Sequence, residues 1–298
     1  MSLTDTFLSG QLLFATLVIG SLYALVALGL NLLYGTLRLL NVAHGDLVML
    51  GAYGAFWLFT LAGLSPLLAL PLLALAGALF GYALYRGLFK RLLQTSRAPQ
   101  RLEANSLLMF FGLSILIQNL AAQFFTVTPR AYRYLDDVWR VGSVAMTGNR
   151  LVALAIATSL CIAVTLFLRF HVFGLALRAV IQRRDAAHIV GVNVERVQAV
   201  SFQLGFASAA VAGGLISMLE QFSPFSGFPF TIAAFVVVIL GGLGNLFAGL
   251  VSAFLLAGIE TYGVALTSPN LRSVLLYGTF VAALLLFPQG LLGRRLTR

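Results

Sequence analysis

Long apolar stretches alternate with short polar connections along nearly the whole chain. Because an α-helix rises about 1.5 Å per residue, roughly 20 apolar residues suffice to cross the hydrocarbon core of a bilayer. Two stretches are short or interrupted, namely Leu47–Ala62 and the glycine-rich region around Gly241–Gly249. The pattern predicts an all-α, polytopic transmembrane helix bundle of about eight or nine spans, some of them broken. The predicted spans are Leu12–Tyr34, Leu47–Ala62, Pro66–Leu88, Leu107–Val127, Leu151–Phe170, Val200–Leu219, Phe230–Leu246, Phe247–Leu266 and Leu271–Pro288.

The composition indicates that lipid, rather than water, surrounds most of the chain. Hydrophobic residues make up 60% of the 298 residues and charged residues only 9%, whereas soluble proteins have about 25% charged residues. A globule of this mass could not hide so much apolar surface from water. The same figures exclude a disordered chain. We predict a single transmembrane domain over residues 1–298.

Basic residues lie in the gaps between the apolar stretches, and they predict the orientation of the chain. Lys and Arg number 19 against 9 Asp and Glu, a formal net charge of +10. They concentrate in residues 86–101, in residues 169–196 and in the C-terminal tail, as is typical of cytoplasmic loops. We therefore predict a cytoplasmic C-terminus and an external N-terminus. The charge suits contact with anionic membrane lipid and is not gathered on one face as nucleic acid would require.

The residue patterns of known catalytic and metal sites are missing from the sequence. The three histidines, His44, His171 and His188, have no second His or Cys at the spacing of metal ligands. A phosphate-binding Walker loop requires Gly-Lys-Ser/Thr, but the one lysine, Lys90, lies between a phenylalanine and an arginine. We therefore predict no catalytic residue, metal site or cofactor in this chain. Any ATP that drives it is expected to bind to another chain.

Several polar residues interrupt the apolar stretches, where they are costly in lipid. Asn31, Gln118, Gln203 and Glu260 each lie within a predicted span. Such residues either line a path for a substrate or make hydrogen bonds between helices. The sequence leaves both interpretations open for each of them.

The segment Asn41–Asp46 places an amide, an imidazole and a carboxylate at the start of a short apolar stretch, as Asn41, His44 and Asp46. Asn41 or Asp46 is suited to cap a helix that begins there. The free N–H groups of such a helix start are also suited to bind a carboxylate ligand, as in transporters with broken helices. A plain helix cap and a part of a translocation pathway are both compatible with the pattern.

The basic segment after the fifth predicted span has helical periodicity. Between Phe173 and Val190 an apolar strip runs beside Arg178, Arg183 and Arg184, and Gly191 is expected to end the helix. An amphipathic helix outside the bilayer docks into the groove of a partner or lies on the lipid surface. The pattern does not distinguish these two possibilities.

Four ordered segments of the chain resemble the permeases of branched-chain amino acid ABC transporters of the LivH type. They are Gly29–Tyr53; Gly174–Ala179 with Ala187 and Gly191–Asn193; Gly241–Gly244 with Gly249 and Glu260; and Pro288–Gly293. The resemblance covers nearly the whole chain. One departure is Phe287, where that family usually has an arginine before Pro-Gln-Gly.

The resemblance implies a permease that moves branched-chain or other hydrophobic amino acids by ATP-driven alternating access in a bacterial inner membrane. Its implied partners are a paralogous permease in a heterodimer, two cytoplasmic ATPases that hold ATP and Mg, and an external substrate-binding protein. Residues 171–198 would be a cytoplasmic coupling loop that contacts an ATPase, through Gly174, Arg178, Ala179, Arg183, Ala187 and Gly191. Candidates for the translocation pathway are Asn31, Asn41, His44, Asp46, Gln118, Gln203, Gly241, Gly242, Gly244 and Glu260.

Two alternative functions are compatible with these features. Importers of urea or amides use similar permeases. A self-contained secondary carrier or channel, a different class of protein, would need its own relay of acids or histidines within the membrane. For such a relay the sequence offers Glu260.

Overall fold

The structure is a computed structural model that describes residues 9–95, 99–142, 144–242, 244–287 and 290–291. Its helices are α1 (Gly10–Leu37), α2 (His44–Ala62), α3 (Pro66–Leu84), α4 (Lys90–Thr95), α5 (Pro99–Phe125), α6 (Gly148–Phe170), α7 (Val172–Gln182), α8 (Arg184–Ile189), α9 (Val194–Ile216), α10 (Gly227–Gly241), α11 (Leu246–Leu266) and α12 (Arg272–Leu286). A π-helical turn, Tyr85–Phe89, joins α3 to α4, and a 3-10 turn, Pro269–Leu271, precedes α12. The antiparallel strands β1 (Val138–Val141) and β2 (Val144–Thr147) form a hairpin between α5 and α6.

The prediction of an all-α polytopic bundle is confirmed. Within the described residues, eight helical segments are long and apolar enough to cross a membrane: Gly10–Leu37, His44–Ala62, Pro66–Leu93, Leu102–Phe125, Gly148–Phe170, Val194–Ile216, Leu246–Leu266 and Pro269–Leu286. The ninth apolar segment, α10, has only 15 residues. Helix α10 begins at Gly227 and ends at Gly241, so the predicted bounds Phe230–Leu246 were wrong at both ends.

Helices α1 and α9 form the centre of the bundle, and the other helices pack around them. About two thirds of each is buried, compared with about one fifth of α5 and of α6. Small residues allow this packing, because Gly205 of α9 faces the backbone of α1 at Gly29 and Gly213 faces the backbone of α2 at Val48. Close backbone approach at small residues is how helices associate in lipid. The one cysteine, Cys161, is buried on α6.

The two ends of α1 define two opposite faces of the bundle, which we call the hairpin face and the α7 face. Near the N-terminal end, the side-chain amide of Gln11 exchanges two hydrogen bonds with the backbone of Ala145 in β2, at 3.0 and 2.9 Å. Near the C-terminal end, Gly35 lies against Ile181 of α7. With 28 residues, α1 is about 42 Å long at ~1.5 Å per residue. The hairpin and α7 therefore lie on opposite sides of the predicted membrane layer.

Helices α2 and α10 both begin in the interior of the bundle, where their N-termini meet. The imidazole of His44 donates from Nε2 to the carbonyl oxygen of Val26, in the middle of α1, at 2.8 Å. The backbone N–H of Gly45 donates to Oγ1 of Thr231, in the first turns of α10, at 2.8 Å. From this point α2 runs toward the hairpin face and α10 toward the α7 face. The two helices that begin in the interior therefore run in opposite directions across the membrane.

The start of α2 differs from the sequence prediction. The helix begins at His44 rather than at Leu47, and its N-cap is Ala43, without a side-chain cap. Neither Asn41 nor Asp46 caps the helix, since the Asp46 carboxylate instead faces α5. The long-range hydrogen bond from Gly45 to Thr231 takes the place of the expected cap. The interpretation as a plain helix cap is therefore wrong.

Candidate functional site

Asp46 is the central residue of the meeting point between α2 and α10, which we call the junction. Its side chain is 1% exposed, and it accepts hydrogen bonds from Ser114 Oγ at 2.5 Å and from Gln118 Nε2 at 3.0 Å. Ser114 and Gln118 are one turn apart on α5, which places both on the face toward α2. Among the described residues no basic side chain pairs with Asp46. Within the described residues, the side chains that donate to its carboxyl group are therefore both neutral.

Two other polar side chains at the junction have unused hydrogen-bonding capacity. Asn41 is 0% exposed, and within the described part of the chain neither its amide nitrogen nor its amide oxygen has a partner. The Nδ1 atom of His44 is also buried without a described partner. Buried polar atoms are almost always hydrogen-bonded, so these atoms mark a place where water or a ligand would be stabilised.

Helix dipoles add positive potential at the junction. The N-termini of α2 and α10 both lie at the junction, and each carries roughly half a positive charge from its free N–H groups. The Asp46 carboxylate lies against Gly227, the first residue of α10, where any larger side chain would collide with it. The acid and the helix ends together make a polar site of mixed sign inside an apolar bundle.

Aromatic side chains lie on the side of the junction toward the hairpin face. Tyr53 stacks on Phe125 with ring centres 4.6 Å apart and meets the edge of Phe222 at 5.0 Å. Above them Tyr132 shares a 2.9 Å hydrogen bond with Ser217, and burial raises the pKa of Tyr132 to about 12. Tyr132 therefore stays protonated at neutral pH. The rings of Tyr53, Phe125 and Phe222 thus form one aromatic cluster between Asp46 and the end of α2.

Four of the predicted pathway residues instead organise the α10–α11 connection on the α7 face. Asn31 receives the N–H of Gly244 at 2.8 Å and donates to the carbonyl oxygen of Asn245 at 3.0 Å. Gly242 and Gly244 have φ angles of 85° and 84°, in the left-handed region that only glycine adopts readily. Gly241 ends α10 in direct contact with Gly249 of α11. These residues hold a tight turn, away from the junction.

Glu260 belongs to a third polar group, closer to the hairpin face. Its carboxylate, 2% exposed, accepts from Nε of Arg272 and from the Tyr23 hydroxyl at 2.6 Å. Arg272 also pairs with Glu220 at 3.2 Å. No described hydrogen bond joins Gln203, half-buried on α9, to any of these groups. The predicted pathway residues thus divide among separate places, and Asn41, His44, Asp46 and Gln118 share the junction.

The predicted coupling segment is two helices rather than one. Arg183 adopts an extended conformation (φ −153°, ψ 106°) between α7 and α8, so the prediction of one helix from Phe173 to Val190 was wrong. Gly174 and Ala187 are buried within the chain, and Ala179 is half-buried. Arg178 donates to the carbonyl oxygen of Leu168 at 2.7 Å. It thereby satisfies one of the free carbonyls at the end of α6.

The surface that this segment offers to a partner therefore consists of other residues. Arg183 and Gly191 of this segment are exposed, and so are four apolar side chains at 63–84%: Val172, Leu175, Ile189 and Val190. We call these four side chains the α7–α8 patch. Exposed apolar groups of this kind on a connection between spans indicate a contact with a protein or a membrane surface.

Sequence reasoning missed three residues of these sites. Thr231 accepts the N–H of Gly45 and donates to the carbonyl oxygen of Val42 at 3.1 Å. Tyr23 and Arg272 hold Glu260. A threonine or tyrosine inside an apolar run gives no distinctive signal. Arg272, the second residue of the predicted span Leu271–Pro288, was the one detectable clue to a partner for Glu260.

The fold and the junction define the class of this protein. A polytopic helix bundle in which two helices begin at mid-depth, around a buried acid, is an arrangement found in membrane transport proteins. Residues 12–284 match the family described as "Branched-chain amino acid transport system / permease component". The chain belongs to this family of transporter subunits, which are permeases and not enzymes.

Individual relatives agree with the family match. The chain is 30% identical to the high-affinity branched-chain amino acid transport system permease protein LivH of Salmonella typhimurium over 299 residues, 95% of each protein. It is 27% identical to the corresponding protein BraD of Pseudomonas aeruginosa, covering 93% of this chain and 94% of BraD. It is also 26% identical to the permease protein LivM of Escherichia coli, covering 91% of this chain and 68% of LivM. No solved structure matches the chain significantly.

Proposed function

We propose that this chain and a paralogous permease together form the membrane pathway of an ABC importer for branched-chain or other hydrophobic amino acids. In this proposal two cytoplasmic ATPases bind ATP and Mg, and an external binding protein delivers the substrate at a bacterial inner membrane. The family match supports the class of transporter. The similarity to both LivH and LivM, two permease proteins named for the same kind of system, supports pairing with a related permease.

The junction supports a role in translocation. Helix N-termini that meet within a membrane, with unpaired polar atoms and an acid beside them, recur at substrate sites of transporters. A chain that needed only stability would gain little from a carboxylate buried at this depth without a cationic side chain beside it. We infer that Asp46, His44 and Asn41 line the pathway, with Gln118 and Ser114 holding the Asp46 carboxylate.

The α7–α8 patch is the observation that carries the link to an ATPase. It is apolar and exposed, it lies between two spans, and Arg183 and Arg184 flank it. Packing of such side chains into a groove provides the binding energy, while the flanking charges set the orientation. In this proposal the α7 face is cytoplasmic, and movement of α7 and α8 is passed to α1 and α9, against which they pack.

The test is a charge placed in the patch. Val190 is 75% exposed, so Val190→Asp leaves the fold intact but adds a charge that must be desolvated if a partner covers the site. We expect this variant to reduce co-purification of the ATPase and uptake of leucine by at least about tenfold, equivalent to ~1.4 kcal/mol. Co-purification from mild detergent and uptake into reconstituted vesicles provide the two measurements.

Val138→Asp is the matched control, because Val138 is an exposed valine on the hairpin face (60% exposed). It is expected to leave binding of the ATPase unchanged. Normal association of the Val190→Asp chain with the ATPase would show that the patch lies on lipid instead. Uptake of an amide or urea in place of leucine would correct the substrate class without affecting the coupling result.

A further inference from the structure

A groove of about 500 Å³, which we call the α11–α12 groove, runs along the outer surface of the bundle between these two helices. Apolar side chains of both helices line it, among them Leu255, Ile259, Val274, Ala282 and Phe287. Only 11% of the span that contains α12 is buried within the chain, so this helix has few neighbours in the described structure. None of the junction residues lines the groove, which therefore requires its own explanation.

The lining of the α11–α12 groove is apolar along its whole length. Among the described residues that line it, none is charged. The one hydroxyl, on Thr279, donates to the carbonyl oxygen of Leu275 within α12 at 2.7 Å. Gly278 deepens the groove, because a Cβ at this position would meet no atom within 4 Å. An occupant of the groove is therefore held by van der Waals contact with apolar groups.

The dimensions of the groove favour a hydrocarbon chain over a helix as its occupant. From Val274 to Phe287 the groove follows about 20 Å of the chain, at ~1.5 Å per residue. Over this length a volume of about 500 Å³ gives a mean width of about 5 Å. An α-helix with its side chains is about 10–12 Å across, whereas a hydrocarbon chain is about 4–5 Å wide, since nonbonded carbon atoms approach to ~3.5–4 Å. A lipid acyl chain fits this groove, and a helix of a partner protein does not.

Basic residues follow the groove in the sequence at its end on the α7 face. There the backbone N–H of Leu291 donates to the carbonyl oxygen of Leu240, near the end of α10, at 2.6 Å, and both residues line the groove. The sequence continues to Arg294 and Arg295. Three peptide units span at most about 11 Å, so the sequence keeps Arg294 within that distance of Leu291. Arginines next to a membrane-spanning helix attract the headgroups of anionic lipids.

We propose that the α11–α12 groove binds one anionic phospholipid, with an acyl chain along α12 and its phosphate toward Arg294 and Arg295. The acyl chain gives α12 a packing partner that the described chain does not supply. The headgroup provides the selectivity, because every lipid of a bilayer has tails as apolar as the groove. The proposal is independent of the substrate and of the partners named under the proposed function.

The experiment identifies the lipid that stays with the whole transporter. The complex is reconstituted in vesicles of equal parts phosphatidylglycerol, which is anionic, and phosphatidylethanolamine. It is then extracted in mild detergent, and its bound lipids are counted by mass spectrometry. We expect phosphatidylglycerol to be enriched at least about fivefold over the mixture, since one arginine near an anionic headgroup contributes about that factor. Gly278→Leu fills the groove without a collision and should abolish the enrichment, and the double variant Arg294→Gln with Arg295→Gln should reduce it to nearly the ratio of the mixture.

Gly112→Leu is the matched control, because Gly112 is an exposed glycine on α5 whose Cβ would likewise meet no atom within 4 Å. It should retain phosphatidylglycerol like the unchanged protein. Three results would overturn the proposal: lipid bound in the ratio of the mixture, unchanged enrichment in the Gly278→Leu or the double arginine variant, or equal loss of enrichment in the two leucine variants. Loss of a second permease from the Gly278→Leu complex, with the enrichment unchanged, would assign the groove to a protein contact and reject the lipid site as well.

Discussion

Asp46 and Glu260 are two buried carboxylates of one helix bundle, yet their surroundings differ in charge. Glu260 has a cationic partner, Arg272, and a hydroxyl partner, Tyr23. Asp46 has only the hydroxyl of Ser114 and the amide of Gln118. Both acids are at most 2% exposed, so water contributes little to stabilising either carboxylate.

If the proposed function is correct, the difference separates a structural acid from a functional one. A buried charge is costly unless an opposite charge compensates it. Glu260 is compensated within the chain, and it fixes Arg272 between α11 and α12. Asp46 pairs with no basic side chain among the described residues, and in the proposed pathway the ammonium group of the passing substrate takes that place. Substitutions that remove one partner at a time test this distinction.

The largest expected effect comes from removing the cation beside Glu260. Arg272→Met leaves a carboxylate buried without charge compensation, and breaking such a pair costs about 3–5 kcal/mol. We expect the free energy of unfolding to fall by about 3 kcal/mol, the lower end of this range, because Arg272 itself is half-exposed. The measurement is the thermal unfolding midpoint in detergent, which should fall clearly.

The double variant Arg272→Met with Glu260→Gln controls for the loss of the arginine side chain itself. It removes both charges, so most of the lost stability should return. A double variant no more stable than Arg272→Met alone would contradict the structural role of this pair.

The second effect is on transport rather than on stability. Asp46→Asn keeps the shape of the side chain and an oxygen that accepts from Ser114, so the unfolding midpoint should change little. The lost charge should lower leucine uptake at least about tenfold, or ~1.4 kcal/mol in the barrier. Initial rates of uptake by reconstituted transporter measure this.

Asp137→Asn is the control for this change, since Asp137 is an exposed aspartate on the hairpin face. Its uptake rate should equal that of the unchanged protein. If Asp46→Asn unfolded at a much lower temperature but transported normally, the assignments of the two acids would have to be exchanged.

The smallest expected effect is at Tyr23. Tyr23→Phe removes the hydroxyl that donates to Glu260 at 2.6 Å but leaves Arg272 in place. A hydrogen bond to a charged group contributes about 1.5–3 kcal/mol to stability. Because the ion pair with Arg272 remains, we expect the loss in the free energy of unfolding to lie at the low end of this range. A decrease in the unfolding midpoint equal to that of Arg272→Met would mean that the hydroxyl, rather than the cation, compensates Glu260.

The approximate number of membrane-spanning helices could be predicted from sequence because apolar stretches of spanning length are a strong signal. Helix ends could not be predicted where a distant residue decides them. Helix α2 begins at His44 because Thr231, 186 residues away, accepts the N–H of Gly45. The break at Arg183 could not be predicted either. The helical periodicity of the sequence continues through this residue, but its backbone is extended in the fold.

For the candidate site, the sequence predicted a set of candidate residues but not which of them lie together. Polarity inside an apolar run selected Asn31 and Glu260 alike, and the polar segment Asn41–Asp46 before a short run selected Asp46. The structure assigns Asn31 to a turn and Glu260 to an ion pair, whereas Asp46 lies at the junction. Their partners are more than 10 residues away in each case, so local sequence could not separate them. The roles of the junction and of residues 171–198 remain predictions.

The burial of Cys161 makes this chain convenient for accessibility labelling. Its one cysteine is 4% exposed on α6, so thiol reagents meet no exposed native thiol. A cysteine introduced at Val138 would report on the hairpin face, and one at Val190 on the α7 face. Reaction with a membrane-impermeant maleimide in intact cells would then identify the face outside the cell. The natural protein should therefore give little background labelling when its orientation is determined in this way.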